Sequence, residues 1–175
     1  MAKEKILEGL TRRTFLGAGV GAAGMGAASP ASAAKATAST AAPGPFILTT
    51  WDFGPGANAV GFPLLARGRS ALDAVEAAIN HVELLPDEYW VGYGGVPNEV
   101  GETTLDAMIM WGPTHDAGGV GCLKRVKRAI SVARRVMEKT QHSLLVGDDA
   151  TRFAARMGFS ETSLTNAVSQ AKWEK

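Results

Sequence analysis

Residues 70–82, SALDAVEAAINHV, predict an amphipathic helix. Ser70 is suited to cap its N-terminus, because Asp73 follows at the spacing of a capping box. The large apolar residues that recur at helical spacing are Leu72, Val75, Ile79 and Val82. One face of this helix is therefore expected to be buried, and the helix should end before Pro86.

Short apolar runs on both sides of this helix predict strands. Residues 46–50 are β-prone and should form a buried strand that ends in a glycine–proline–glycine turn at residues 54–56. After the helix, residues 103–110 predict a strand and residues 144–146 predict a shorter one. Residues 118–122 fit either another short strand or a tight entry into a helix.

Residues 58–67, 123–139 and 148–157 have helical patterns. The residues expected to kink, cap or end these helices are Pro63, Gly68, Asp148 or Asp149, and Gly158. The buried side of the second helix should be formed by Val126, Ile130, Ala133 and Met137. Because helices and strands are mixed along the chain, the sequence predicts an α/β (α+β) fold with helices packed against a sheet.

Composition limits the classes of function. The chain is 46% hydrophobic and 20% charged, which is typical of a globular protein, and its formal net charge is +1. A chain so close to neutral has no strong field to attract nucleic acid or anionic membrane. We therefore expect neither as a partner.

The first residues predict export. Arg12 and Arg13, followed by Phe15 and Leu16, form a twin-arginine signal, which a receptor reads as an address. The apolar stretch that follows is mostly Gly and Ala and is shorter than the roughly 20 residues of a membrane-spanning helix, so no stable anchor is expected. We therefore assign 1–33 to a signal peptide, 34–45 to a flexible leader and 46–175 to a domain that acts in the periplasm or outside the cell.

Most of the reactive side chains have an ordinary structural interpretation. The basic residues of the predicted helix at residues 123–139 favour a solvated helix face over a phosphate site. They are Lys124, Arg125, Lys127, Arg128, Arg134, Arg135 and Lys139. The histidines His81, His115 and His142 have no metal-ligand spacing, so no metal is predicted. Cys122 lies in a glycine-rich apolar run and is expected to be buried.

One aromatic segment suggests a pocket, and one glycine-rich segment suggests a tight turn. Trp51 follows the first predicted strand, beside Asp52 and a turn, where the wall of a pocket is often built; a place in the core or in a lid is the alternative. Residues 92–95, Gly-Tyr-Gly-Gly, lack the third glycine of a dinucleotide fingerprint and the lysine of a phosphate loop. They predict a tight turn that permits close backbone approach.

Several blocks together resemble the α-subunit of the glycosylasparaginase family, an asparaginase type 2 family of N-terminal-nucleophile hydrolases. They are TTWDFG at residues 49–54, ALDAVE at 71–76, VGYGG at 91–95, LDA at 105–107, ISVARRVMEKTQH at 130–142 and LVGD at 145–148. The resemblance covers residues 46–159. Because separate blocks occur in the same order, it is specific.

The resemblance implies half of a four-layer αββα sandwich. Members of the family are made as precursors that cut themselves into α and β chains, and αβ units pair into an (αβ)2 assembly. The β chain begins with a threonine whose hydroxyl attacks the substrate amide and whose α-amine serves as base, so no cofactor is implied. The substrate is the amide that joins N-acetylglucosamine to asparagine, or asparagine or a β-aspartyl peptide in relatives.

This chain departs from the family pattern at the nucleophile. The His-Asp-Thr-Ile-Gly stretch of the family does not occur in it, so we assign no catalytic residue here and expect the nucleophile on a separate β chain. Residues 115–118, His-Asp-Ala-Gly, echo that stretch, but Ala117 has no hydroxyl. Only Trp51 carries over, as a substrate-binding residue that lines the pocket. A non-enzymatic remnant that pairs with a partner chain is the alternative.

Overall fold

The computed structural model describes residues 44–175. The predicted export signal lies outside the described residues. In chain order the elements are α1 (Gly54–Ala66), α2 (Ala71–Glu83), β1 (Thr104–Trp111), β2 (Asp116–Lys124), α3 (Ala129–Lys139), β3 (Leu144–Val146), α4 (Gly147–Arg156) and α5 (Ala167–Trp173). The predicted mixed α/β fold class is confirmed.

Helix α2 forms where the sequence predicts it. The Ser70 hydroxyl accepts a hydrogen bond from the Asp73 backbone N–H at 3.1 Å, which caps the helix. Its most buried small residues are Ala74 and Ala78, because α2 packs closely against α1 at Gly61. A Cβ on Gly61 would lie 2.8 Å from the Ala74 carbonyl oxygen. Val75 was predicted to lie on the buried face of this helix but is 38% exposed, so the prediction of that face was partly wrong.

Three strands form one sheet in the order β1-β2-β3. Strands β1 and β2 pair antiparallel, whereas β2 and β3 pair parallel. The register shifts between Leu105 and Ala107, because their partners Leu123 and Val120 are one residue farther apart on β2. This β-bulge lets Val120 and Leu123 both point into the core.

Helices α3 and α4 cover one face of this sheet. Leu105, Ile109 and Leu123 from the sheet pack in one buried cluster with residues of both helices, including Val136 and Phe153. Helix α3 approaches β2 so closely that a Cβ on Gly118 would lie 2.3 Å from the Ala133 carbonyl oxygen. Burial of these apolar side chains is the main favourable term that holds the sheet and the two helices together.

The opposite face of the sheet is open to solvent in the described part of the chain. Met108 and Met110 on β1 are 67% and 57% exposed, and Leu144 and Val146 on β3 are each 51% exposed. We call these four residues the bare face. A sheet with helices on one side and apolar side chains on the other is consistent with half of an αββα sandwich.

The strand predicted at residues 46–50 is absent. In residues 44–175 this segment has no regular secondary structure, and Phe46 and Leu48 are 76% and 83% exposed. A strand needs a neighbour to accept its backbone hydrogen bonds, and no described strand pairs with this segment. The turn predicted at residues 54–56 is also wrong, since these residues form the first turn of α1 with proline at a position that favours helix starts.

Three other features of the helices differ from the sequence predictions. Leu123 still belongs to β2, so α3 begins only at Ala129. Asp148 and Asp149 lie in the first turn of α4 without capping it, where the helix dipole favours their charge. Helix α5 was not predicted. Asn166 and Ser169 form a capping box at its start that could have indicated it.

Over residues 44–175, no helix has both the length and the apolar character needed to cross a membrane.

Candidate functional site

A largely apolar cavity of about 560 Å³ lies between the N-terminal segment of residues 47–53, helix α2, the loop of residues 90–92 and strand β1. Trp51, Trp90 and Glu83 are among the residues that line it. Its size is within the range of small-molecule sites, and its lining combines large apolar side chains with few polar ones. We therefore take this cavity as the candidate site.

Trp51 lines this cavity, as a pocket-wall residue should. Its ring stacks on Phe53 with the centroids 5.8 Å apart and the planes 2° from parallel, and the residue remains 58% exposed. The turn that presents it is held by the Gly54 backbone N–H, which donates to the Trp51 carbonyl oxygen at 2.9 Å. Thr49 accepts a further hydrogen bond from the Asn58 side chain at 3.2 Å.

Trp90 was missed by the sequence analysis. It lies in the loop between α2 and β1, lines the same cavity as Trp51 and is 64% exposed. Its backbone N–H donates to the Glu88 carboxylate at 3.1 Å, and its ring lies 4.8 Å from that of Tyr89. The ammonium group of Lys172 sits 3.1 Å above the Tyr89 ring, so α5 helps to hold this loop.

The glycine-rich loop makes the close backbone approach that its sequence predicts. Gly92 has a φ of +71°, and a Cβ there would lie 2.3 Å from the Glu83 carbonyl oxygen. Gly94 has a φ of +90° and donates its N–H to the Leu164 carbonyl oxygen at 2.8 Å. Asn166 fastens the same loop through a 2.8 Å hydrogen bond from its side chain to the Pro86 carbonyl oxygen.

Glu83 is the buried acid of the site, with only 5% of its surface exposed. Its Oε1 accepts a hydrogen bond from the Ile130 backbone N–H at 3.0 Å. Burial raises the pKa of this carboxyl group to about 8, although the Ile130 hydrogen bond and the charge of Arg128 act to lower it. The group is therefore mainly protonated at neutral pH. Sequence patterns gave no signal for it, because its partner lies in a distant helix.

The basic residues form the predicted solvated helix face only in part, since Arg135 and Lys139 are exposed on α3 whereas most of the others precede this helix. Arg134 is largely buried and hydrogen-bonds Asp73, Glu76 and Glu138 at 2.9, 2.7 and 2.6 Å. Burial acts to lower the pKa of Arg134, but these carboxylates outweigh it and raise that pKa. Lys124 lies on β2 instead of a helix, near carboxylates of Glu102 and Asp148.

Cys122 is exposed, which corrects the prediction that it is buried. It lies in the bulge of β2 with a φ of +49°, and its backbone N–H donates to the Asp106 carboxylate at 2.7 Å. His115 begins the HDAG sequence in the turn between β1 and β2, where its φ is +62°. In the part of the chain that the structure describes, no group of three or more His, Cys, Asp or Glu could hold a metal ion.

Comparison with known proteins matches residues 54–175 to the family described as Asparaginase. The chain is 47% identical over 131 residues to the N(4)-(beta-N-acetylglucosaminyl)-L-asparaginase of Elizabethkingia miricola, covering 75% of this chain and 38% of the relative. It is 50% identical over 129 residues to the protein of the same name from Rattus norvegicus, covering 74% and 37%. A putative protein of that name from Drosophila melanogaster is 45% identical over 133 residues, covering 74% and 34%. The chain thus spans little more than a third of the length of these curated relatives.

Proposed function

The chain belongs to the asparaginase family, as its resemblance to glycosylasparaginase predicted, and we propose that it forms the N-terminal part of an amidohydrolase. The proposed substrate is N4-(β-N-acetylglucosaminyl)-L-asparagine, after the names of its relatives. The observation that carries this proposal is the aromatic cavity at Trp51, which opens beside the free edge of β1.

The nucleophile of this reaction is a threonine at the start of a β chain. Its hydroxyl oxygen adds to the substrate amide carbon while its α-amine takes the hydroxyl proton. The amide C–N bond then breaks, and the proton passes to the departing glycosylamine. Water hydrolyses the resulting threonyl ester, releases aspartate and restores the hydroxyl. This logic needs neither a histidine nor a metal from the present chain.

The β chain is also the proposed cover of the bare face. Apolar side chains on that face, Met108 and Met110 among them, would be buried by a second sheet, as in a sandwich with shared strands. The β-prone segment at residues 46–50 has no strand neighbour in the described residues and borders the cavity across from β1. A strand from the β chain between them would complete the pairing of both. An (αβ)2 assembly is part of this proposal.

Trp51 serves as a substrate-binding wall in this proposal. Its ring is already ordered by stacking on Phe53 while much of its surface remains free for contact. A rigid aromatic side chain offers a large contact area at little cost in conformational entropy. Substrate would therefore lie against the Trp51 ring while the threonine of the β chain reaches its amide.

We further propose export by the twin-arginine pathway to the periplasm or the exterior. The support is the Arg12-Arg13 pair and the short apolar stretch after it. Replacing both arginines by lysine in the full chain should retain the protein in the cytoplasm of a host with this pathway. Unchanged export of the double variant would contradict this proposal.

The activity is tested by complementation. Residues 34–175 are produced together with a β chain of the Elizabethkingia miricola relative that begins with its threonine. Aspartate release is then measured from glycosylasparagine, L-asparagine and a β-aspartyl dipeptide. We expect co-purification of the two chains and fastest release from glycosylasparagine. Release faster from L-asparagine or the dipeptide would assign the chain to that alternative substrate.

The variant Trp51→Ala should raise KM for the best substrate about tenfold or more, since it removes an aromatic contact surface. Trp111→Ala is the matched control, because Trp111 lies at the end of β1 and does not line the cavity. Aspartate release by residues 34–175 alone would show that the nucleophile is not on a β chain. Failure of the two chains to associate or to hydrolyse any of the three substrates would contradict the proposed function.

A further inference from the structure

Glu83 connects three parts of the molecule at the wall of the cavity. Its side chain accepts the Ile130 N–H in the first turn of α3 at 3.0 Å. Its main-chain carbonyl oxygen accepts the Tyr93 N–H at 2.8 Å, which joins the end of α2 to the loop that carries Trp90. Gly92 of that loop packs directly on its backbone. We call this junction of α2, α3 and the loop the Glu83 joint.

The start of α3 depends on Glu83 for a cap. Arg128, the residue at the N-cap position, makes no capping hydrogen bond with its side chain. The first N–H groups of a helix have no partner within the helix, so the Ile130 N–H needs an acceptor from elsewhere. Glu83 supplies that acceptor from 47 residues away. Loss of its side chain would therefore affect α3 as well as the cavity wall.

The second oxygen of Glu83, Oε2, is buried and has no hydrogen-bond partner among residues 44–175. An ionised carboxylate with one oxygen left unsatisfied in an apolar site is strongly disfavoured, whereas the neutral acid tolerates burial better. The charged groups facing it are Glu76 on α2, which disfavours ionisation, and Arg128 before α3, which favours it. Strand β1 contributes Asp106 to the same cavity, and α1 contributes the apolar Ala57.

We propose that Glu83 is a positioning residue whose protonated side chain holds the cavity wall against α2 and α3, and whose ionisation loosens that wall. The consequence for substrate binding rests on the proposed function, whereas the consequence for the joint does not. A carboxylate formed at this position would gain solvation only by opening the joint. Trp90, on the adjoining loop, would then lose its fixed position.

The pH range over which the joint loosens follows from the raised pKa of Glu83. Burial raises the pKa of Glu83 from 4.5 to about 8, so the folded joint holds the proton more tightly than an opened one. The contribution of Glu83 to the stability of the joint is fully present below pH 4.5 and is lost as the pH rises to about 8. Above that pH, this contribution changes little. In the folded protein itself, the carboxylate appears only near and above pH 8.

The first test is hydrogen exchange of the full chain between pH 5 and 9, with each rate corrected for its intrinsic pH dependence. Protection of the Ile130 and Tyr93 amides should fall by on the order of tenfold per pH unit up to pH 8 and then level off. Glu83→Gln keeps an acceptor for Ile130 but cannot ionise, so its protection should be independent of pH. Glu99→Gln, on an exposed loop residue, is the matched control and should behave like the wild type.

The second test needs no variant. In the chain labelled with ¹³C at glutamate carboxyl groups, the Glu83 resonance should titrate near pH 8. A midpoint near 4.5 would overturn the proposal, as would parallel exchange profiles of the wild type and Glu83→Gln.

The third test separates substrate binding from mere stability. In the complemented enzyme, KM for glycosylasparagine should rise above pH 8 for the wild type but not for Glu83→Gln, with kcat less affected. Identical KM profiles would contradict the role in substrate binding. If the complemented enzyme is inactive at every pH, the proposed function fails, while exchange and titration still decide whether Glu83 governs the joint.

Discussion

The two faces of the single sheet differ although their sequences are similarly apolar. On the face covered by α3 and α4, Leu105, Ile109 and Leu123 are at most 7% exposed. On the bare face, Met108 and Met110 of the same strand β1 are more than half exposed. Strands with apolar side chains on both sides are typical of sheets that are covered twice. The described residues cover one of the two faces, and the β chain is the proposed cover of the other.

The covered face should carry most of the stability of the chain, and Leu123→Ala tests this most strongly. Leu123 is 0% exposed, so its truncation removes buried contacts and leaves a cavity. We expect a loss of about 3 kcal/mol in the free energy of unfolding, measured by urea denaturation. Met110→Ala on the bare face is the control and should cost less than about 0.5 kcal/mol. Equal losses for the two variants would contradict the distinction between the faces.

The closeness of α3 to the sheet is tested by Gly118→Ala. The added Cβ would lie 2.3 Å from the Ala133 carbonyl oxygen and 2.4 Å from the Met137 backbone nitrogen, so α3 must move away. We expect a loss of about 2 kcal/mol in thermal or urea unfolding. Gly112→Ala should have little effect, because no atom lies within 4 Å of its added Cβ. A neutral Gly118→Ala would mean that α3 is not held tightly on β2.

Substitutions on the bare face should weaken association with a β chain but should hardly change the stability of the chain itself. Replacing Met108 and Met110 by glutamate leaves both side chains in water, so the free energy of unfolding of the chain should change by less than about 0.5 kcal/mol. The same double variant should lose co-purification with a β chain and self-associate less in sedimentation experiments, since it breaks an exposed apolar patch. Undiminished co-purification would show that the β chain binds elsewhere.

Local patterns predicted the elements whose stability is local. The predicted bounds of α2, β1 and β3 lie within one or two residues of the observed ones. These predictions succeed because caps and periodicity act over short distances in the sequence. The segment at residues 46–50 was predicted wrongly for the opposite reason. A β-prone segment forms a strand only when another strand pairs with it, and its own sequence does not indicate whether such a partner is present.

The candidate site was predicted only where a motif marked it. Trp51 was expected at a pocket wall and lines the cavity, although its role with substrate stays a prediction. Trp90 and Glu83 were missed, since they reach the cavity through contacts with α5 and α3 that are distant in sequence. Cys122 was assigned to the core because the extra residue in β2 leaves no mark in the pattern of apolar residues.

The bulge lets β2 carry one extra residue without changing which of its side chains reach the core. Cys122 itself is exposed, so its replacement by serine should be tolerated. Deleting it would instead restore a strict alternation in which Val120 and Leu123, then two positions apart, both still point to the core, and only the bulge would be lost. Homologous sequences should accordingly vary in the residue they carry at this point, and a one-residue gap in their alignment should be tolerated here more readily than elsewhere in β2, where it would move core side chains to the opposite face.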